Sequence, residues 1–169
     1  NLRIETYEQP TASLGEVSND HYPGKFTDPL IPSTKPVSSG KLPALTYRVI
    51  PVNNDYLIHY KAELSIPEDD TYEFQTFWTG SGELKVDGVV LNKGAHWFNE
   101  MVPASTFLKA GKHHLEIVHI KDFPWGPKAL GLNVKRIGSR LVSLHERTSL
   151  LDPDEVGLIE VQANAEPVL

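Results

Sequence analysis

Residues 57 to 137 read as short segments of alternating apolar and polar residues cut by turn sequences, a pattern that leaves room for little except stacked β-strands. Ile58, Tyr60, Ala62, Leu64 and Ile66 alternate with His59, Lys61, Glu63 and Ser65. A period of two puts the first set on one face of a strand. Pro67-Glu68-Asp69-Asp70 makes a turn, after which Tyr72, Phe74, Thr76 and Trp78 mark one face of the next strand. Leu84 and Val86 lead into Asp87-Gly88. Both turn residues tolerate positive φ, which predicts a tight hairpin, and Val89 and Leu91 return from it. His113, Leu115, Ile117 and His119 alternate with His114, Glu116, Val118 and Ile120; Leu130, Leu132 and Val134 close the run. Leu45, Tyr47 and Val49 predict a strand before the run, and Leu2, Ile4 and Thr6 a first one. Helical periodicity is almost absent. Strands at this spacing predict an all-β antiparallel sandwich or barrel.

The flanks differ. Residues 9 to 44 hold Pro10, Pro23, Pro29, Pro32, Pro36 and Pro43. Proline removes amide donors and blocks helices, so this stretch reads as an irregular surface crossing, a packed connection between edge strands. Leu141 to Leu151 reads as a short helix or another strand, and Leu158 to Val161 as a strand. Ala163 to Leu169 reads as a linker. The expected organisation is one domain over 1–137 and a C-terminal extension over 138–169.

Composition excludes several classes. The 16 basic residues of this 169-residue chain are scattered and the net charge is −6, so neither nucleic acid nor an anionic membrane surface is an expected partner. With no cysteine there are no disulfides, thiol catalysis or cysteine-held metals. No apolar run approaches the ~20 residues that span a bilayer. No secretory signal pattern opens the chain at Asn1, so export implies that a signal has been removed and that this is a segment of a longer protein.

Five phrases, in order, resemble the PA14 domain family. They are Tyr60-Lys61-Ala62-Glu63-Leu64-Ser65-Ile66-Pro67, Asp70-Thr71-Tyr72-Glu73-Phe74, Leu84-Lys85-Val86-Asp87-Gly88, Leu108-Lys109-Ala110-Gly111-Lys112-His113 and Leu130-Gly131-Leu132-Asn133-Val134. They match the family's strand into proline, its Gly-Thr-Tyr-x-Phe strand start, its Leu-x-Val-Asp-Gly hairpin, its Leu-x-Ala-Gly-x-His entry and its closing strand. The resemblance implies a PA14-like β-sandwich and a non-catalytic glycan-binding, adhesive or spacer module of a secreted protein. The family's calcium-dependent adhesins carry two adjacent aspartates in the loop after the aromatic strand. Here that segment is Trp78-Thr79-Gly80-Ser81-Gly82-Glu83. Calcium takes six to eight oxygen ligands, which Glu83 alone cannot supply, so calcium-dependent sugar binding is not implied. Asp69-Asp70 are adjacent but lie in the preceding turn, as solvated turn residues.

The aromatic loops are the candidates that remain. Trp125 in Phe123-Pro124-Trp125-Gly126-Pro127 offers a stacking face for a sugar ring if exposed; otherwise it folds back onto the sandwich rim. His96-Trp97-Phe98 poses the same choice. The expected site is Trp125, Trp97, Trp78 and Asp122, acting by stacking and hydrogen bonding without a metal. His113 and His119 share a strand face but stand six residues apart at ~3.3 Å each, too far to chelate one ion. Catalysis has no clear carrier. Glu63, Glu73, Glu83, Asp87, Glu100, Glu116 and Asp122 offer carboxylate pairs as any acidic β protein does. No Gly-x-Ser-x-Gly elbow and no phosphate-binding glycine loop is present. The expectation is a non-catalytic, cofactor-free, carbohydrate-binding accessory module of a larger extracellular or periplasmic bacterial protein. The alternatives are a structural spacer that positions a neighbouring catalytic or electron-transfer domain, or a glycan-active enzyme.

Overall fold

A computed structural model of the protein describes residues 11–136 and 142–145. Among these residues eleven strands form two sheets: β1 (Ser13–Leu14), β2 (Val17–Pro23), β3 (Ser38–Leu42), β4 (Tyr56–Ile66), β5 (Asp70–Trp78), β6 (Gly80–Val86), β7 (Val89–His96), β8 (Val102–Leu108), β9 (Gly111–Lys121), β10 (Leu130–Arg136) and β11 (Val142–Ser143). The larger sheet runs β3-β2-β4-β9-β6-β7, with β1 also paired to β4; the smaller runs β11-β10-β5-β8. Every ladder is antiparallel, and one parallel bridge joins Leu45 to His145.

The alternation read from the sequence builds the core. Tyr56, Ile58, Tyr60, Ala62, Leu64 and Ile66 of β4 join Leu115 and Ile117 of β9 and Leu84 and Val86 of β6. They pack with Tyr72, Phe74 and Trp78 of β5 and Leu132 and Val134 of β10 in one buried cluster. A second cluster of Tyr22, Leu57, Val118 and Ile120 lies on the opposite face of the larger sheet, because those residues occupy the out-of-phase positions of β2, β4 and β9.

The structure departs from these expectations at four places. The proline-rich stretch 9–44 holds β1, β2 and β3. Strand β2 hides its period because two of its inward positions are the buried polar residues Asn19 and His21. Strand β3, Ser-Ser-Gly-Lys-Leu, is an exposed edge that needs no apolar face. Leu45, Tyr47 and Val49 do not form a strand. The chain turns there between Pro43 and Pro51, with the Ile50 amide donating to the Tyr47 carbonyl at 3.0 Å. Strand β8 was not foreseen, since Pro103 interrupts it. Among the described residues it pairs only with β5, and an edge strand tolerates proline. Residues 142–145, beyond the expected boundary at 137, pack into the same sandwich: β11 pairs with β10, and Leu144 is buried. The proposed first strand at 2–6 and the segments 146–169 lie outside the described residues.

The hairpin at Asp87-Gly88 forms as read, with φ of 53° and 80°. Asp87 also ties it to β9. Its Oδ1 accepts from the His114 amide at 2.8 Å and its Oδ2 meets His113 Nδ1 at 2.6 Å, while His113 Nε2 meets the Lys109 carbonyl at 2.7 Å. Both partners of the His113 ring only accept, so both ring nitrogens donate and the imidazole is held protonated. The Asp87 hydrogen bond raises the His113 pKa above 6.5. Burial alone would raise the Asp87 carboxyl, but the bonds from His113 and the His114 amide outweigh it and hold it below 3.8. The His113 contribution is therefore full below pH 6.5 and fades as pH rises through its raised value. That of Asp87 is full above pH 3.8 and fades as pH falls through its lowered value. Asp87→Asn is expected to cost about 1 kcal/mol near pH 6, and less at pH 9, in urea melts at both pH values. Equal costs at the two pH values would show that the ion pair contributes nothing.

Candidate functional site

Strand register gathers three loops at one end of the sandwich. Tyr56 pairs with Lys121, Ser81 with Ile120, Gly80 with His96, and Leu130 with Trp78. The segments around 53, 97 and 122–129 therefore emerge side by side.

Three rings form a run there. Trp97 and Phe123 stack with centroids 6.2 Å apart at 17°, and Phe123 and Trp125 sit 5.0 Å apart at 32°. Phe98 adds a tilted contact with Trp97 at 5.7 Å. Trp125 is 65% exposed, so its ring faces solvent. The loop backbone lies against Trp97: a Cβ on Gly126 would come within 2.7 Å of Trp97 Cη2. Glycine is what lets the 122–129 loop fold down onto that ring.

Lys121 anchors this arrangement. It is 0% exposed, at the end of β9. Its Nζ donates to the carbonyls of Asn53 at 2.9 Å and Phe123 at 2.7 Å, and lies 4.7 Å from the Phe123 ring centroid. Its own carbonyl accepts from the Asp55 amide at 2.6 Å. One buried cation thus joins the loop before β4 to the aromatic loop after β9. Burial, with Lys128 nearby, lowers its pKa.

Beside the rings opens a cleft of about 690 Å³, lined by Tyr47, Arg48, Asn53, Phe98 and Gly126 to Lys128. Asp122 is exposed; its carbonyl accepts from Lys25 Nζ at 3.5 Å, and Lys25 also pairs with Asp55 at 3.0 Å.

Of the four expected site residues, Trp97, Trp125 and Asp122 come together at this end. Trp78 is a correction. It is 0% exposed, its Nε1 donates to the Gly94 carbonyl at 3.2 Å, and His96 stacks on it at 4.7 Å. The alternation that buries Tyr72 and Phe74 buries Trp78 as well, and no face of it is left for a ligand. The segment Thr79 to Glu83, read as a loop, is mostly strand: β6 begins at Gly80, and Glu83 is buried and paired with Lys85 at 3.6 Å. Asp69 and Asp70 order their turn, accepting from the amides of Ala110 at 2.8 Å and Thr71 at 2.7 Å, and Asp70 also from Arg136 at 3.0 Å. Among the described residues no three His, Asp or Glu side chains converge as a metal site requires, and no helix is long and apolar enough to cross a membrane. Sequence reasoning missed Lys121, Tyr47, Arg48 and Lys128. Lys121 has only its place in an apolar strand end as a signal, and the other three are joined by the fold alone.

No protein-family model and no curated protein matches the sequence. Solved structures do match in shape. An anti-sigma factor domain-containing protein aligns with a TM-score of 0.63 at 14% identity, over 78% of this chain and 45% of that one. The PA14 domain of the antifreeze protein MpAFP aligns with a TM-score of 0.58 at 14% identity, over 82% and 91%. The PA14 sugar-binding domain of an RTX adhesin aligns with a TM-score of 0.57 at 11% identity, over 78% and 95%. The chain spans less than half of the first of these and nearly all of the other two. It has the all-β sandwich fold of PA14 domains.

Proposed function

We propose that this domain is a non-catalytic carbohydrate-binding module of a larger extracellular or periplasmic bacterial protein, acting through its aromatic loops without calcium. The observation that carries the reading is the aromatic run Trp97–Phe123–Trp125, which ends in the solvent-exposed Trp125 ring beside an open cleft. Sugar rings present C–H faces that stack on aromatic faces, and a rigid ring loses little entropy on binding. In this reading the exposed Trp125 stacks on the sugar, Trp97 and Phe123 back it and border the site, and the exposed Asp122 accepts a bond from a hydroxyl. Lys121 and Gly126 hold the loop so that the rings are set before the ligand arrives. The sugar binding named for the RTX adhesin domain of the same fold supports the class of ligand.

The test is a glycan array with the purified domain, in calcium and in chelator, on the parent and on Trp125→Ala. Binding is expected in both conditions, and the substitution should weaken it about tenfold or more. Because Trp125 is mostly exposed, its melting temperature should stay within ~3 °C of the parent. Binding in calcium alone would put a metal into the site. Binding to no glycan would leave the spacer role as the better reading.

A further inference from the structure

Lys121 places a charge inside the sandwich. Residues 117, 119 and 121 share one face of β9, so the phase that buries Ile117 and His119 carries the Lys121 stem inward too, in register with the buried Tyr56. Its ammonium is met by two main-chain carbonyl oxygens, of Asn53 at 2.9 Å and Phe123 at 2.7 Å, and by the face of the Phe123 ring, 4.7 Å from its centroid. Among the described residues no carboxylate bonds to it. Neutral carbonyl oxygens converging from separate loops are ligands that hard cations take in proteins. A methionine would fill the volume of the stem with no charge to desolvate, and a buried charge without a counter-ion costs stability. Packing alone therefore gives no reason for an ammonium here. The two loops also depend on it unequally. The loop before β4 is fixed to β9 by the Asp55 amide as well, whereas the Phe123 carbonyl, among the described residues, has the ammonium alone. From outside, Lys25 spans the same loops, 3.0 Å from Asp55 and 3.5 Å from the Asp122 carbonyl, but its side chain is 70% exposed and such surface contacts contribute little.

From this we infer that Lys121 is the built-in cation of the aromatic loop: its ammonium holds the carbonyls of Asn53 and Phe123 as a bound ion would, and glycan affinity depends on that internal charge. The inference rests on the carbohydrate reading and deepens it, by naming what sets the site in place of a metal. An ammonium is a compact point charge with three donors, and one carried on a side chain is not lost to a chelator. Phe123 transmits the effect. Its ring contacts those of both Trp97 and Trp125, so fixing its carbonyl fixes the run that ends in the exposed Trp125 ring. A loop already ordered has less freedom to lose when a sugar arrives. Lys121 is 0% exposed and touches no ligand, so it acts as a positioning residue.

Two variants separate charge from volume. Lys121→Met keeps the stem and removes the charge; Lys121→Ala leaves room for a propylammonium ion supplied in solution. Deuterium exchange at the amides of residues 122–129 reports the loop with no glycan present, and the glycan array reports binding. In both variants loop exchange is expected to rise about tenfold and apparent affinity to fall by a similar factor, while the amides of β4 and β9 stay protected. Propylammonium should restore loop protection and affinity to Lys121→Ala. Neither 1-propanol, which fills the same space uncharged, nor tetramethylammonium, which is charged without an N–H, should do so. The parent loop should be unchanged by chelator. A loop as protected in Lys121→Met as in the parent would overturn the inference, because the charge would then be dispensable; this variant decides alone if Lys121→Ala does not fold. Equal rescue by 1-propanol would overturn it by assigning the effect to lost volume. A loosened loop with unchanged affinity would sever the charge from binding, and a parent loop that loosens in chelator would put a metal where the lysine is placed. A parent that binds no glycan would overturn the carbohydrate reading, and loop exchange would still decide whether the ammonium holds the loop.

Discussion

Gly80→Ala is expected to remove about 4 kcal/mol of stability, a large fraction of the roughly 5–15 kcal/mol that a folded domain has. Gly80 opens β6, which lies between β7 and β9 in the larger sheet. Its φ is +118°, a conformation that side-chain-bearing residues adopt only with strain, at a cost of about 1–3 kcal/mol. A methyl group there would also overlap the Ile120 carbonyl oxygen and sit 3.2 Å from Lys121 Cα. Both are backbone atoms of β9, so no rotamer change relieves the clash. Separating β6 from β9 would open the ladder that carries Ser81, Gly82 and Glu83, and overpacking of this kind adds about 1–3 kcal/mol. Urea unfolding measures the loss. Gly111→Ala is the control, because Gly111 shares a positive φ of 127° but has nothing within 4 Å of the added methyl. It should show the strain without the clash. Equal losses in the two variants would show that crowding against β9 contributes nothing. Gly80→Ala should also weaken glycan binding, since the displaced atoms lead directly into the aromatic loop.

How far the sequence reveals this molecule depends on which residues face the core. Where inward positions are apolar, as in β4, β5, β9 and β10, the period of two is plain and the strands fall where it places them. Where inward positions are polar, as at Asn19 and His21 of β2, the strand is hidden although its backbone is fully paired. Apolar alternation also misleads when the chain cannot extend. Leu45, Tyr47 and Ile50 are all buried, yet they reach the core from a turn rather than a strand. The site divides in the same way. Trp125 is legible because proline and glycine flank it in a loop. Trp78 stands in phase with Tyr72 and Phe74 on the inward face of β5, whereas Trp97 follows the end of β7, so the first ring is buried and the second sits at the rim. Arg48 and Lys128 stand eighty residues apart in number, and no local pattern predicts that both meet the Tyr47 ring.

Mild acid is expected to cost ~3 kcal/mol of stability between pH 6.5 and pH 4 through one residue, His119. His119 is 0% exposed on the core face of β9, with the Tyr56 ring edge-on at 5.4 Å. Its Nε2 donates to the Thr79 carbonyl at 2.8 Å, which fixes a neutral tautomer with Nδ1 bare. Burial penalises the charged ring. The Thr79 bond opposes this only in part, and the charges of Lys121 and Lys128 add to the penalty, so the pKa is held down to about 4. In the unfolded chain it returns to 6.5. Between those values the unfolded state binds the proton and the folded state does not, so stability rises with pH across the window. The contribution is complete above pH 6.5, is lost as pH falls towards 4, and changes no further below that. His59 and His21, also lowered chiefly by burial, act in the same direction. His113 acts in the opposite sense and above pH 6.5, and Asp87 below pH 3.8, so neither fills this window. Urea melts from pH 4.5 to 7.5 should show a positive slope in the parent and a much shallower one in His119→Gln. Equal slopes would assign the acid sensitivity to another group. Because His119 is two residues before Lys121, on the strand end that bears the aromatic loop, the same protonation should loosen that loop first. Glycan affinity is then expected to fall at a higher pH than the one at which the domain unfolds, and an affinity that stayed constant until unfolding would show that His119 and the rings are not linked.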